Sequence, residues 1–131
     1  MLQGEKILVT GPAGQIAAPL CRYLAPHNEV WGIARFSVPG SREEVEAMGV
    51  TTRVVDLGDG DFSDVPDDFT YVLHLAAAIG PSTDYDQSLR VNAEATGLLL
   101  EHCRTAKAAL VMSTCSVYKP NADPWHRYVE T

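Results

Sequence analysis

The chain has 131 residues, 46% of them hydrophobic, which suits a single domain with an ordinary core. Its formal charge of −7 argues against a general nucleic-acid or acidic-membrane surface. No apolar run reaches the roughly 20 residues that cross a bilayer, and no signal peptide is expected ahead of the first strand.

The three cysteines, Cys21, Cys103 and Cys115, are scattered, without paired spacing for zinc or disulfides. A reduced, cytoplasmic setting without a protein-bound metal is the simplest expectation. In chain order, Ile7, Leu8 and Val9 form a short apolar run with strand propensity. Gly11 then turns the chain sharply, Gly14 permits close backbone approach, and the small Ala17 lets a following helix pack on the strand. The unpaired N–H groups of that helix terminus suit a pyrophosphate. No Gly-Lys-Ser/Thr follows, so a P-loop is excluded.

The helix is expected over Gln15 to Ala25, with Ile16, Leu20, Tyr23 and Leu24 at helical spacing. Pro19 predicts either a slight kink or a helix that starts late enough to tolerate the ring. Glu29 to Ala34 reads as the second strand, with Arg35 just past its tip. In dinucleotide folds an acid about 20 residues after the glycines holds the adenosine ribose. Here Ala34 and Arg35 stand at that point, and an arginine there can clamp a 2′-phosphate, so NADP is expected ahead of NAD. The competing role for Arg35 is a solvated surface charge.

Ser41-Arg42-Glu43-Glu44 reads as a capping box opening a short helix that Gly49 closes. A third strand, Thr51 to Val55, ends at Asp56-Leu57, where a carboxylate either accepts from an adenine amino group or caps the next turn. Asp59 to Asp68 reads as an acidic surface loop. Tyr71 to Leu75 is the fourth strand, and the small Ala76, Ala77 and Ala78 at its end let a cofactor cross the sheet. His74 reads as a hydrogen-bonded strand-end histidine rather than a ligand or base.

After a polar loop over Gly80 to Asp86, a long helix is expected from Ser88 to Ala106, with Val91, Ala95, Leu98, Leu99 and Cys103 as its buried stripe. Asn92, the polar exception beside that stripe, either bonds the neighbouring strand's backbone or positions a cofactor. Ala108 to Met112 is the fifth strand. Strands alternating with helices imply an α/β fold, a doubly wound parallel sheet of about five strands. Beyond it Ser113-Thr114-Cys115-Ser116-Val117-Tyr118 places hydroxyls at a strand end. Such hydroxyls donate to a substrate carbonyl, or serve only as turn formers.

Taken together, Thr10-Gly11-x-x-Gly14-x-x-Ala17, Asp56-Leu57, His74-Leu75-Ala76-Ala77-Ala78, Asn92 and the Ser113–Tyr118 segment resemble the N-terminal part of the extended short-chain dehydrogenase/reductases, the NAD(P)-dependent epimerase/dehydratase family. The resemblance covers essentially the whole chain. It implies a phosphate turn on Gly11, Pro12, Ala13, Gly14, Gln15 and Ile16, and an adenine edge on Asp56 and Leu57. It implies a passage under the nicotinamide ribose along Leu75, Ala76 and Ala77. The family's catalytic hydroxyl falls on Thr114, flanked by Ser113 on the cofactor side. It also implies a small-molecule substrate such as a sugar nucleotide, and a homo-oligomer for the full-length protein.

One departure is large. The family's acid/base pair is a tyrosine with a lysine four residues on, and no tyrosine of this chain has one. The chain therefore reads as the cofactor half, cut short before the proton-transfer pair, and is expected to lack turnover by itself. A non-catalytic NADP-binding sensor on the same fold is the alternative. A different nucleotide-binding protein such as a methyltransferase is disfavoured by the glycine turn and Arg35.

Overall fold

The computed structural model describes residues 2–79, 84–114, 118–123 and 125–129. Residues 80–83 of the polar loop, and Cys115, Ser116 and Val117 of the hydroxyl-rich motif, lie outside the described residues.

Five strands, β1 (Lys6–Thr10), β2 (Glu29–Ala34), β3 (Thr51–Val54), β4 (Tyr71–His74) and β5 (Ala108–Val111), form one parallel sheet in the order β3-β2-β1-β4-β5. This is the doubly wound α/β arrangement. The apolar run at Ile7, Leu8 and Val9 is continuous because β1 is central and covered on both faces; all three are fully buried. Alternation sends them apart. Ile7 and Val9 join Ala17, Cys21, Leu24, Val30, Val45 and Val50 on one face. Leu8 joins Ile33, Phe69, Val72, Ala95 and Leu99 on the other.

The first face is covered by α1 (Ala17–Leu24) and α2 (Ser41–Glu46). Pro19 has no N–H to return to Gln15, so the regular helix begins only at Ala17 and the ring sits in its first turn, where a missing donor costs little. The late-start alternative holds. Of the expected apolar stripe of α1 only Leu24 holds. Ala17, Cys21 and Leu24 are buried, whereas Ile16, Leu20 and Tyr23 are 56%, 36% and 56% exposed. Close packing on β1 selects the face with the smaller side chains.

The expected capping box at Ser41 is also absent. Gly40, at φ +80°, occupies the N-cap, and the Ser41 hydroxyl instead donates to Val38 O at 2.6 Å. Gly49, at φ +86°, ends that segment as expected.

On the second face, among the described residues, no α-helix joins β3 to β4, only the short 3-10 turn Leu57–Asp59. The acidic loop covers the sheet there, with its carboxylates outward and Phe62 and Val65 buried beside Phe69. It is a core segment, not only a surface one. The late helix starts earlier than its periodicity indicates. The Asp84 carboxylate accepts from Gln87 N at 2.7 Å and starts α3 (Tyr85–Leu89), which runs through a π-helical turn (Arg90–Glu94) into α4 (Ala95–His102). Ala95, Leu99 and Cys103 are buried as expected, but Leu98 is 44% exposed. Among the described residues no helix is long and apolar enough to cross a membrane.

Candidate functional site

The chain leaves β1 toward β2 on one side, and β4 lies against β1 on the other. The connections above the two strand ends diverge, and that divergence opens a crevice at the carboxyl edge of the sheet. Gly11 stands at its floor with φ +65°, its N–H donating to Ile33 O at 2.9 Å. A Cβ at Gly11 would lie 3.2 Å from Ala76 Cβ and 3.3 Å from its Cα, so the two strand ends approach this closely only around glycine.

Beyond Gly11 the turn is closed by Gly14 N–H to Gly11 O and Ala18 N–H to Gly14 O, both 2.9 Å. The N–H groups of Ala13, Gln15 and Ile16 have no acceptor among the described residues. They cluster at the mouth of α1, where the helix dipole adds positive potential. This is an anion site in the making.

The cleft above has a volume of about 690 Å³, within the usual range for ligand sites. Its walls are the end of β2 with Arg35–Val38, the end of β3 with Asp56–Asp59, and the end of β4 with Leu75–Ile79. It brings together Gly11, Ala13, Gly14, Arg35, Asp56, Leu57, Leu75, Ala76 and Ala77 from the sequence candidates. Pro12, Gln15, Ile16, Asn92, Ser113 and Thr114 do not line it.

Each exclusion has a physical reason. Pro12 is buried under the turn, and a Cβ at Gly32 would come within 2.7 Å of its ring. The side chains of Gln15 and Ile16 face solvent, which leaves only their backbone to contribute. Asn92 stands behind the wall: its Oδ1 accepts from Ala78 N at 2.7 Å and its Nδ2 donates to Ala78 O at 3.0 Å. That is the backbone role open to it from sequence. Ser113 and Thr114 follow β5 and are exposed beyond the pairing of His74 with Val111.

The two readings of Asp56 are partly resolved. Its Oδ1 accepts from Gly58 N at 2.9 Å and so caps the short turn Leu57–Asp59, while the residue also lines the cleft. Arg35 is exposed at the tip of β2, and Phe36 directly after it takes φ 48°. A non-glycine residue in that region is uncommon and marks a constrained turn. Arg35 and Arg90 are the two cations on the cleft wall, and neither makes an ion pair among the described residues.

Sequence reading missed Arg90 and Val91, because helical periodicity says nothing about which turn overhangs a strand end. The available signal was Gly58. A Cβ there would meet Val91 Cγ2 at 3.3 Å, so a small residue at 58 lets the π-helical turn lie over the β3 end.

His74 is 2% exposed and bonds as expected of a strand-end histidine, with Nδ1 2.9 Å from Thr10 Oγ1 and Nε2 2.9 Å from Thr96 Oγ1. Burial lowers its pKa below the ordinary value of 6.5. Burial likewise pushes the thiols of Cys21 and Cys103 up to about 11, so both are inert core groups, free of any disulfide. No cluster of three or more metal-ligating side chains exists among the described residues.

Known structures share this architecture. UDP-glucuronic acid 4-epimerase from Bacillus cereus, in complex with NAD, superposes with a TM-score of 0.74 at 30% identity, covering 89% of this chain and 42% of that one. UDP-N-acetylglucosamine 4-epimerase from Methanobrevibacter ruminantium M1, in complex with UDP-N-acetylmuramic acid, superposes with a TM-score of 0.79 at 25% identity, covering 96% and 43%. The chain thus spans less than half the length of these two structures. No curated protein matches the sequence. The sequence matches the profile of the NAD dependent epimerase/dehydratase family over residues 7–131, and the chain belongs to that family.

Proposed function

We propose that the cleft seats the pyrophosphate and nucleosides of an NAD(P) cofactor, and that the chain forms the cofactor half of an enzyme acting on a sugar nucleotide. The observation that carries this is the approach of the Gly11 turn to Ala76 beneath the open N–H groups at the mouth of α1. Gly11, Ala13 and Gly14, with the N–H groups of Gln15 and Ile16, hold the diphosphate. Asp56 and Leu57 border the adenine, and Leu75, Ala76 and Ala77 lie along the nicotinamide ribose. When bound, the nicotinamide supplies a hydride acceptor or donor. Asn92 keeps the Ala78 backbone in place behind that wall.

Ser113 and Thr114 follow the strand next to β4, and the family resemblance makes Thr114 the hydroxyl that would donate to the reacting oxygen. The sugar-nucleotide substrate class is supported by the UDP-sugar 4-epimerases that share the fold. The family's proton-transfer tyrosine and lysine have no counterpart in these 131 residues, so no residue here is assigned that proton. The same observation favours a second reading, a non-catalytic NADP-binding module. Turnover of a UDP-sugar by the protein in its cellular form separates the two.

Between the two cofactors, the exposed Arg35, without an ion pair among the described residues, supports NADP, whereas the NAD complex of the Bacillus cereus enzyme supports NAD. Calorimetric titration of the wild type and Arg35→Ala with NAD+ and NADP+ decides. A charge-assisted contact of about 1.5–3 kcal/mol predicts a loss of roughly tenfold or more for NADP+ and little change for NAD+. Equal wild-type affinities and an unaffected variant would remove the 2′-phosphate role.

A further inference from the structure

We infer that His74 is a positioning residue: held neutral as one tautomer between two threonines, it fixes the Leu75–Ala78 wall of the cleft, and its protonation releases that wall. The inference follows from counting donors. Thr10 Oγ1 accepts from Leu75 N and from Ala76 N, both at 3.0 Å, which uses its two lone pairs. Its one proton must therefore go to His74 Nδ1, 2.9 Å away. With Nδ1 an acceptor, the neutral ring carries its proton on Nε2 and donates to Thr96 Oγ1 at 2.9 Å. Thr96 in turn donates to Asn92 O at 3.1 Å, and the Asn92 amide clasps Ala78. A chain of hydrogen bonds thus runs from the amides of Leu75 and Ala76, through the buried ring, to the backbone carbonyl of Asn92, the residue whose side-chain amide separately holds Ala78.

A protonated ring breaks this chain at one end. Thr10 Oγ1 would face three donors with two lone pairs, and its own proton would have no acceptor. The nearest neighbours offer no relief. Thr10 comes from β1, Val111 from β5 with Met112 just after it, and Thr96 from α4; no carboxylate or cation among the described residues bonds the ring, and burial is what lowers its pKa. The amides that Thr10 holds belong to the residues that border the cleft opposite the Gly11 turn. Protonation therefore acts on the cleft wall first.

The test is imidazole and backbone amide NMR of wild type and His74→Gln from pH 8 to pH 5. A glutamine amide offers an oxygen toward Thr10 and an N–H toward Thr96 whatever the pH. The expected result is an Nε2–H ring at pH 8, with the amide shifts of Leu75, Ala76 and Ala78 moving as the ring titrates, and the same amides flat in His74→Gln. An Nδ1–H ring at pH 8, or wall amides that stay unchanged while the ring titrates, would overturn the inference. The wild-type spectra suffice if the variant does not fold. The consequence for cofactor rests on the reading above. NAD+, whose phosphates stay ionised over this range, should bind wild type several-fold more weakly at pH 5 than at pH 8 and the variant equally at both. If NAD+ does not bind at any pH, the cofactor reading fails while the tautomer and wall shifts still judge the role of His74.

Discussion

The two flanks of the sheet differ in how completely they are covered. Toward β2, Ile7, Leu8 and Val9 of the central β1, Ile33 of β2 and Val45 of α2 have no exposed surface, and only the outer strand β3 is open, with Val54 at 60%. On the β5 side every residue from Ala108 to Val111 is exposed, with Leu110 at 48% and Val111 at 46%. The strands have similar composition; what differs is whether anything lies against them. The Gly11 turn is thus built on a close-packed base, whereas Ser113 and Thr114 extend from an edge held mainly through its pairing with β4.

The largest expected effect comes from removing part of that base. Phe69, 1% exposed and edge-on to Trp31 at 6.2 Å, joins β2 to the loop that replaces a helix on the second face. Phe69→Ala should cost about 3–5 kcal/mol in urea denaturation. A cost below about 1 kcal/mol would show that the loop does not belong to the core.

Next in size is Gly11→Val, which places a β-branched residue at φ +65° against Ala76. We expect a loss of about 1–3 kcal/mol and at least a tenfold drop in NAD+ affinity by calorimetry. Unchanged affinity would separate the turn from the ligand.

A smaller effect comes from acid. His74 has a folded pKa below its ordinary 6.5, so in acid the unfolded chain takes up the proton first. The stabilisation tied to the neutral ring is complete above that value and is lost as pH falls below it toward the folded pKa. Denaturation midpoints of wild type should fall across this window more than those of His74→Gln. Parallel curves would mean that other groups carry the acid sensitivity.

The smallest effect is expected at the open flank. Leu110→Ala removes a half-exposed side chain and should change stability by less than about 1 kcal/mol. A cost matching that of Phe69→Ala would mean that β5 is covered in solution and would erase the contrast between the flanks.

The five strands, their parallel doubly wound arrangement and the site of the crevice were legible because the strands are short apolar runs set between mostly helical stretches, and such alternation permits few topologies. β2 falls on its expected residues, Glu29–Ala34, for that reason. The turn at Gly11 was legible because its φ and the approach of Ala76 both require glycine.

Helix faces were harder. In α1 two apolar stripes lie side by side, and only the depth of β1 decides that Ala17 and Cys21 turn inward while Leu20 turns outward. The Ser41 box failed because Gly40 takes the left-handed cap first. Phe62 and Val65 were hidden by the carboxylates around them. Arg90 could not be found from periodicity, since its place over Gly58 depends on a π-helical turn that shifts the helix face.

The central claim is that the Gly11 turn and the β4 end together hold a dinucleotide diphosphate. The most direct measurement is an NAD+ titration followed through the backbone amide shifts of the protein. Saturable shifts concentrated at Ala13, Gly14, Gln15 and Ile16 and at Leu75–Ala77 are the expected result. Saturation with those amides unmoved, or no saturation at millimolar NAD+, would contradict it.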